Sequence, residues 1–321
     1  MKTDNLKIVA EAIKKNKSVL IFSHNRPDGD TVGSACALKL ALLSLGINAE
    51  LVCDSDIPEK FLILNGAGDY KKPIDYAGMK FDAHISVDCS TESMFSGAYL
   101  LYASCKNTIN VDHHVSDTYY AALNYVEKRS ACCEIVYELI LNLGVKITVD
   151  IANALLFGII TDSGNFAHSD VTYKTLLIAS ELVKTGGDIH TIIEKSFRDQ
   201  SRERAALFAR AVSGMQYFLD DRVAVILITK KDIAECNAKD NMTEGIIDFP
   251  MTVRTVEVAI SLLETGNRQY KISLRSRGKV NVNEIASLYG GGGHILASGA
   301  MMRGYPEDIT DKLVYNVKQR L

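Results

Sequence analysis

Short runs of apolar, β-branched residues alternate with longer stretches of helical periodicity through the first half of the chain. SVLIFS (18–23), INAELVC, HISVDC and NTINVD have the length and composition of buried strands, and the residues from about Thr31 to Leu45 carry the pattern of a helix. Such alternation predicts βαβ units and hence a parallel sheet. Helical patterns follow at about 131–143, 149–161 and 171–184, and the opening segment MKTDNLKIVAEAIKKNKS reads as an amphipathic helix. After Gly186, Gly187 and Asp188 comes SFRDQSRERAALFARAV, charged and poor in turn breakers, which predicts a connecting helix. Beyond it the rhythm changes. MQYFLDDRVAVILIT predicts a hairpin turning at Asp220 and Asp221, and VEVAISLLE and QYKISLRS predict further strands. The expected fold is α/β, with a parallel-sheet domain over 1–188, a helical linker over 189–212 and a smaller mixed-sheet α/β domain over 213–321.

Bulk properties narrow this picture. A chain of 321 residues exceeds what one hydrophobic core usually serves, and 47% apolar with 23% charged residues suits a globular protein. The formal net charge is −3, whereas a protein that coats long nucleic acid is normally basic. Phosphate binding is therefore expected to be local, and long nucleic acid is not an expected partner. Seven cysteines occur without a CxxC pair, and Cys132 and Cys133 lie inside an apolar run, so they read as reduced core residues of a cytoplasmic protein. No signal-peptide pattern is visible, and no stretch reaches the roughly 18 apolar residues of a membrane span. No membrane partner is expected.

The aspartates and histidines decide the chemistry. Four β-like or apolar runs end in acids or acids with histidine: VLIFSHNRPDGD, HISVDCS, TINVDHH and LLFGIITDSGNF. Ligands collect at the carboxyl ends of strands in parallel sheets, so His24, Asp28, Asp30, Asp88, Asp112, His113, His114 and Asp162 are expected in one crevice. That many carboxylates repel one another unless cations neutralise them. Imidazole and carboxylate without thiolate suit manganese or magnesium, and the donors suffice for two ions that would activate a water for hydrolysis of a phosphate ester. Each acid also has a structural alternative: Asp30 as the cap of the helix at Thr31, and Asp88 and Asp112 as strand-end turn residues. His84, His168 and His190 lack an acidic strand-end partner of this kind and are expected on the surface or in the core.

SHNRPDGDTVGS, VDCS, VDHH and TDSGNF, in this order and spacing, resemble the four motifs of the DHH phosphoesterase superfamily, and GGGGHILASG resembles the signature of the DHH-associated domain. The resemblance covers essentially the whole chain. With TEGIIDFPMTVRTVEVAISLLE, it is strongest to the bacterial group of oligoribonucleases and 3′-phosphoadenosine-5′-phosphate (pAp) phosphatases. It implies one metal held by His24, Asp28 and Asp88 and another by Asp30, Asp88, His113 and Asp162, with Asp88 bridging. Manganese is the expected metal, with magnesium or cobalt as alternatives. Asp112 is expected to orient a histidine or hold its loop. Adjacent residues of an extended strand point opposite ways, so His113 and His114 are expected to differ in role, with His114 touching the phosphate or protonating the leaving oxygen.

From Thr265 to Asn283 there is no acidic residue, yet Arg268, Lys271, Arg275, Arg277 and Lys279 lie there. Arg275 and His294 are expected to hold a substrate phosphate that the amides of Gly291, Gly292 and Gly293 approach, with Ser298 a further candidate. In the resembling family the corresponding arginine and histidine line the substrate cleft, which implies a cleft between domains. The implied activity is hydrolysis of short oligoribonucleotides to mononucleotides and of pAp to AMP, or alternatively of cyclic dinucleotides and linear pApA. A homodimer is a family-level expectation. A nucleotide-binding oxidoreductase is disfavoured, since no GxGxxG follows the first strand.

Overall fold

The computed structural model describes residues 5–321, organised in two compact units, one ending at Asp199 and the other spanning Gln200–Leu321. The amphipathic reading of the opening segment falls partly on residues 1–4, outside the described residues. Helix α1 spans Leu6–Lys14 and buries Leu6, Val9, Ala10 and Ile13, an i, i+3, i+4, i+7 stripe.

The first unit is built on a five-stranded sheet of β1 Ser18–Phe22, β2 Asn48–Val52, β3 Ala83–Val87, β4 Thr108–Asp112 and β5 Leu123–Val126, all pairings parallel, in the order β2-β1-β3-β4-β5. The edge strand β5, LNYV, is short and lacks an apolar run. The sequence pattern does not mark it. Helices α2 Gly29–Ser44, α4 Cys132–Asn142 and α5 Val149–Asp162 bury Val32, Ala35, Leu38, Ile135, Leu139, Leu155 and Ile159 in one core. Leu20 and Phe22 point to the opposite face, into an aromatic cluster of Tyr76, Phe95 and Tyr102, the last on α3 Tyr99–Ala103. Both faces are covered, which is why these strands are continuous apolar runs. The chain winds from β1 outward to β2, then returns to β3 and continues the other way. The carboxyl ends of β1 and β3 therefore flank the topological switch point where such sheets bind ligands.

Helix α6 Tyr173–Lys184 is followed by α7 Ile189–Ile193 and one π-helical turn, Glu194–Arg198. The chain then leaves the helical path at Asp199, and Ser201 caps a new helix, α8 Arg202–Ser213, by accepting the Arg204 N–H at 3.2 Å. The stretch expected as one connecting helix is thus two helices with a break between them, and the boundary of the compact units falls at that break.

In the second unit, β6 Gln216–Phe218 and β7 Val223–Ile228 form the expected hairpin, with Leu219, Asp220 and Asp221 all at positive φ. Then come α9 Lys230–Glu235, β8 Val258–Gly266, β9 Gln269–Ser276, α10 Val282–Ser287, β10 Gly292–Gly293, β11 Ala297–Arg303 and α11 Pro306–Lys318. The sheet order is β10-β11-β9-β8-β7-β6, with β7–β8 parallel and the remaining pairs antiparallel, so the sheet is mixed. Ile285 and Leu313 pack on Val225, Ile260 and Ile272, while Leu207 and Ala211 of α8 pack on Ile226 and Ile228.

Candidate metal centre

Register delivers the first residues of the site. Phe22 pairs with Ser86 and Val87 pairs with Val111, so the residues just beyond β1, β3 and β4 emerge side by side. His24, Asp88 and the Asp112–His114 segment follow directly. Asp88 adopts φ 58°, a left-handed conformation that aspartate takes up more readily than most residues.

Helices supply the remaining acids. Asp28 is the N-cap of α2, its Oδ1 accepting the N–H groups of Asp30 and Thr31 at 3.0 and 3.1 Å. The cap is therefore two residues earlier than the alternative considered for Asp30. Asp30 lies inside the first turn, and its carboxylate accepts the backbone N–H groups of Cys132 and Cys133 at 2.5 and 2.9 Å, at the amino end of α4. A buried anion at a helix N-terminus is favoured by the free amides and the helix dipole. Asp162 ends helix α5, so the fourth acidic run is a helix end and not a strand end.

Three groups of ligand atoms result, each within 4.8 Å: His24, Asp28 and Asp88; Asp30, His113 and Asp162; and Asp88, His113 and His114. Nε2 of His24 lies 3.6 Å from Asp28 Oδ1 and 3.6 Å from Asp88 Oδ2. Nε2 of His113 lies 3.3 Å from Asp88 Oδ1, 3.6 Å from Asp162 Oδ2 and 3.8 Å from Asp30 Oδ2. Both rings are oriented from behind: Nδ1 of His24 donates to the Asn25 carbonyl and Nδ1 of His113 to the Arg129 carbonyl, each at 3.0 Å. A carbonyl only accepts, so Nδ1 of each ring keeps its proton and Nε2, turned to the cluster, is the nitrogen that gains or loses one.

The electrostatics are those of a site built around cations. Burial lowers the basicity of His24, but its contacts with Asp28 and Asp88 outweigh this and raise its pKa to about 11. His113 is likewise raised to about 11 by Asp88 and Asp30 against the effect of burial. Burial and the charge of Asp88 push Asp162 up to about 7, and burial with the same neighbour pushes Asp30 well above the usual carboxylate range. Oδ1 of Asp88 is buried without a hydrogen-bond partner. An orphaned carboxylate oxygen facing imidazole nitrogens, among oxygen and nitrogen donors without a thiolate, fits divalent metal ions of the harder kind.

His113 and His114 do not diverge as an extended strand would require, because β4 ends at Asp112. Their ring centroids are 4.4 Å apart and both rings face Asp88, Nδ1 of His114 lying 3.6 Å from Asp88 Oδ1. Their difference lies in their anchors. Asp112 is fully buried, and its carboxylate accepts Nδ1 of His114 at 2.8 Å and the His114 backbone N–H at 3.2 Å. Burial lowers the basicity of His114, and Asp112 more than restores it. Half-buried His114 therefore presents Nε2 outward.

Features the sequence reading passed over hold this arrangement. Gly29 and Gly33 of α2 and Gly158 of α5 let the two helices cross closely: a Cβ on Gly33 would lie 2.4 Å from the Ala154 carbonyl, and one on Gly158 would lie 2.3 Å from Cys133 Sγ and 2.7 Å from Asp30 Oδ1. The four-residue spacing of Gly29 and Gly33, one face of a helix, is the signal that could have found them. Arg129, whose carbonyl orients His113, has a buried guanidinium gripped by Glu127 and Glu138 at 3.0 Å each. Of the histidines set aside, His84 is a core residue donating to Tyr102 O and packed on Phe22, and His190 is exposed. His168 is exposed too, but its Nδ1 donates to the Asp162 carbonyl at 2.9 Å.

In the second unit, Arg275 bonds Asp248 Oδ1 through Nε at 2.9 Å and the Leu274 carbonyl through Nη1 at 3.2 Å. Three of its basic neighbours are otherwise engaged: Arg277 with the carbonyls of Met251, Val253 and Val256, Lys279 with Glu257, and Arg268 stacked on Tyr305. The glycine loop has structural duties of its own. A Cβ on Gly291 would lie 2.1 Å from the Gly299 carbonyl, and Gly293 sits at φ 149°. The Gly291 amide is donated to Ala286 O, and Gly292 and Gly293 pair with Gly299 and Ser298. Ser298 is buried and donates its hydroxyl to the His294 carbonyl at 2.7 Å, so it braces the loop, whereas the His294 side chain is exposed.

Residues 18–159 match the model of the DHH family N-terminal domain, and residues 221–321 match that of the DHHA1 domain. The bifunctional oligoribonuclease and PAP phosphatase NrnA of Thermus thermophilus is 30% identical over 311 residues, covering 95% of this chain and 90% of its own. The chain belongs to the DHH family. Among other DHH relatives, the NrnA of Mycoplasma genitalium is 30% identical over 331 residues, covering 98% of this chain and all of its own. The crystal structure of an exopolyphosphatase-related protein from Bacteroides fragilis superposes with a TM-score of 0.91 at 25% identity, covering 98% of this chain and 95% of that one. No helix among the described residues is long and apolar enough to cross a membrane.

Proposed function

We propose that this DHH protein is a metal-dependent phosphoesterase that hydrolyses short oligoribonucleotides to mononucleotides and removes the 3′-phosphate of pAp to leave AMP. The observation that carries the reading is the cluster at the switch point of the parallel sheet in which Asp88 belongs to two of the three ligand groups and His113 joins it to the third, in a chain whose full-length relatives are named for these two activities. His24, Asp28 and Asp88 would hold one divalent ion and Asp30, Asp88, His113 and Asp162 a second, manganese being our assignment over magnesium or cobalt. When bound, such a pair supplies a water of lowered pKa and neutralises charge on the phosphate oxygens.

The remaining steps belong to side chains. Asp112 holds the Nδ1 proton of His114 and so aims Nε2 at the oxygen that leaves phosphorus; the ring donates a proton there, and the raised basicity of His114 keeps that proton available near neutral pH. Arg275 and exposed His294 would bind a substrate phosphate away from the scissile bond, Nη2 of Arg275 remaining for that contact. With Gly291 spent on Ala286 and Ser298 on His294, the loop serves by holding His294 in place. All seven cysteines are free, in keeping with a reducing, cytoplasmic setting.

The test is a panel of pAp, di- to pentaribonucleotides, pApA and cyclic di-AMP assayed with manganese, alongside Asp88→Asn. The reading requires turnover of pAp and short RNA by the native protein and none by the variant, with metal content lost in the variant. Turnover of the cyclic dinucleotide alone would overturn it, and full activity in Asp88→Asn would remove the shared carboxylate from the mechanism.

A further inference from the structure

Beyond Asp162 the backbone takes an unusual course. Gly164, Asn165 and Phe166 stand consecutively at φ 58°, 57° and 63°. A left-handed phenylalanine is rare because its Cβ crowds the neighbouring carbonyl. The turn is held by the Asn165 N–H donating to Ile160 O at 2.7 Å, the His168 N–H to Ser163 O at 3.0 Å and the Phe166 N–H to Ser163 Oγ at 3.0 Å. Its effect is to fold His168 back over Gly164, so closely that a Cβ on Gly164 would lie 2.4 Å from His168 Nε2. Nδ1 of the same ring donates to the carbonyl of Asp162, whose carboxylate stands among the candidate metal ligands. An exposed ring is thereby anchored at the rim of the centre.

The chemistry of that anchor limits what the ring can recognise. Since Nδ1–H donates to a carbonyl, the neutral imidazole has its acceptor lone pair on Nε2. An acceptor does not suit phosphate oxygens, which are acceptors themselves. It suits a hydroxyl. In both substrates of the proposed function, on which this inference rests, the carbon adjacent to the one bearing the phosphorylated 3′-oxygen carries a 2′-hydroxyl, the donor nearest the scissile phosphate. The 2′-hydroxyl is also the group by which a protein distinguishes RNA from DNA.

We propose that His168, held by the Asp162 carbonyl and the left-handed turn at 164–166, accepts a hydrogen bond from the 2′-hydroxyl beside the scissile phosphate and so selects ribonucleotides over deoxyribonucleotides. His168 is a specificity residue in this assignment.

Native protein is assayed on a diribonucleotide, its 2′-deoxy analogue and its 2′-fluoro analogue, which keeps an acceptor but has no donor. The native enzyme is expected to lose roughly tenfold in kcat/KM with either analogue, the scale of one good hydrogen bond. In His168→Ala the preference for the ribose substrate over the deoxy analogue is expected to collapse, through loss on the ribose substrate. Equal native rates on ribose and 2′-fluoro substrates would overturn the proposal without use of a variant. So would an equal loss in His168→Ala on ribose, deoxy and bis-p-nitrophenyl phosphate substrates, which would mean that His168 serves only to hold Asp162. If the native protein hydrolyses bis-p-nitrophenyl phosphate but neither short RNA nor pAp, the proposed substrate class fails, a result separate from the loss of discrimination.

Discussion

His114 and the candidate ligands His24 and His113 show how one residue type is given different surroundings by what lies behind the ring. Backbone carbonyls hold Nδ1 of the two candidate ligand histidines, whereas a buried carboxylate holds Nδ1 of His114. His114→Ala is therefore expected to retain bound metal and lose roughly 10²–10⁴ in kcat, the usual range for a missing acid–base group. Elemental analysis beside steady-state rates checks this, and loss of a metal equivalent would exchange the roles of the two neighbours. A pH dependence follows from His24 and His113. Their metal-free pKa values, about 11, lie above the ordinary 6.5, so their pairing with Asp88 stabilises the metal-free fold fully below that ordinary value and loses this contribution as pH rises toward 11. Metal binding runs the opposite way, since it must displace the same protons. The thermal stabilisation produced by manganese should be larger at about pH 8.5 than at about pH 6, with protons released on binding. At this scale the sequence was informative where chemistry is unusual: a run of adjacent acids and histidines has few structural uses. It named Asp30 but was uninformative about its anchor, since the contact with the amides of Cys132 and Cys133 joins residues about a hundred positions apart.

The element that most constrains the centre is the crossing of α2 and α5, because each carries one of its acids. Close approach depends on positions with no side chain, and Gly158 faces both Cys133 and Asp30. Gly158→Ala should push α5 from the amino ends of α2 and α4 at once, since neither a buried thiol nor an anchored carboxylate can give way freely. The expected cost is roughly 1–3 kcal/mol of stability, read as a lower urea midpoint, together with weaker metal affinity. A variant with native stability and affinity would show that the crossing relaxes without moving Asp30. The strands and helices of this unit were readable because burial on both faces writes long apolar runs, while β5 was not, being a half-buried edge of four residues. Asp162 was found through its motif and misplaced in kind: LLFGIITD is equally apolar as strand or helix, and its length, continued back to Val149, decides for the helix. The break at Asp199 and Ser201 was similarly hidden in a charged stretch whose helical propensity is high on either side.

At the scale of the whole molecule, the acidic centre lies in the first unit and the candidate phosphate-binding residues in the second, and the proposed function is tested by varying substrate length. Arg275 has Nε and Nη1 committed to Asp248 and Leu274, which fixes the guanidinium plane before any ligand arrives. A pre-oriented fork loses less freedom on gripping a phosphate than a mobile one. His294 is exposed on a loop whose shape is set by Gly291, Gly293 and Ser298. If both side chains bind a phosphate remote from the scissile bond, Arg275→Ala and His294→Ala should each raise KM for pAp and a diribonucleotide, with metal content unchanged. Charge-assisted hydrogen bonds are worth roughly 1.5–3 kcal/mol, so the expected rise is on the order of ten- to a hundredfold. Turnover falls as well if the same contact orients the reacting phosphate. Bis-p-nitrophenyl phosphate has no remote phosphate and should respond far less. Steady-state kinetics of both variants on the reporter and on pAp decides the matter: equal losses on the two substrates would refute a remote-phosphate role, and unchanged kinetics on both would leave the GGGGH loop with its structural duties alone.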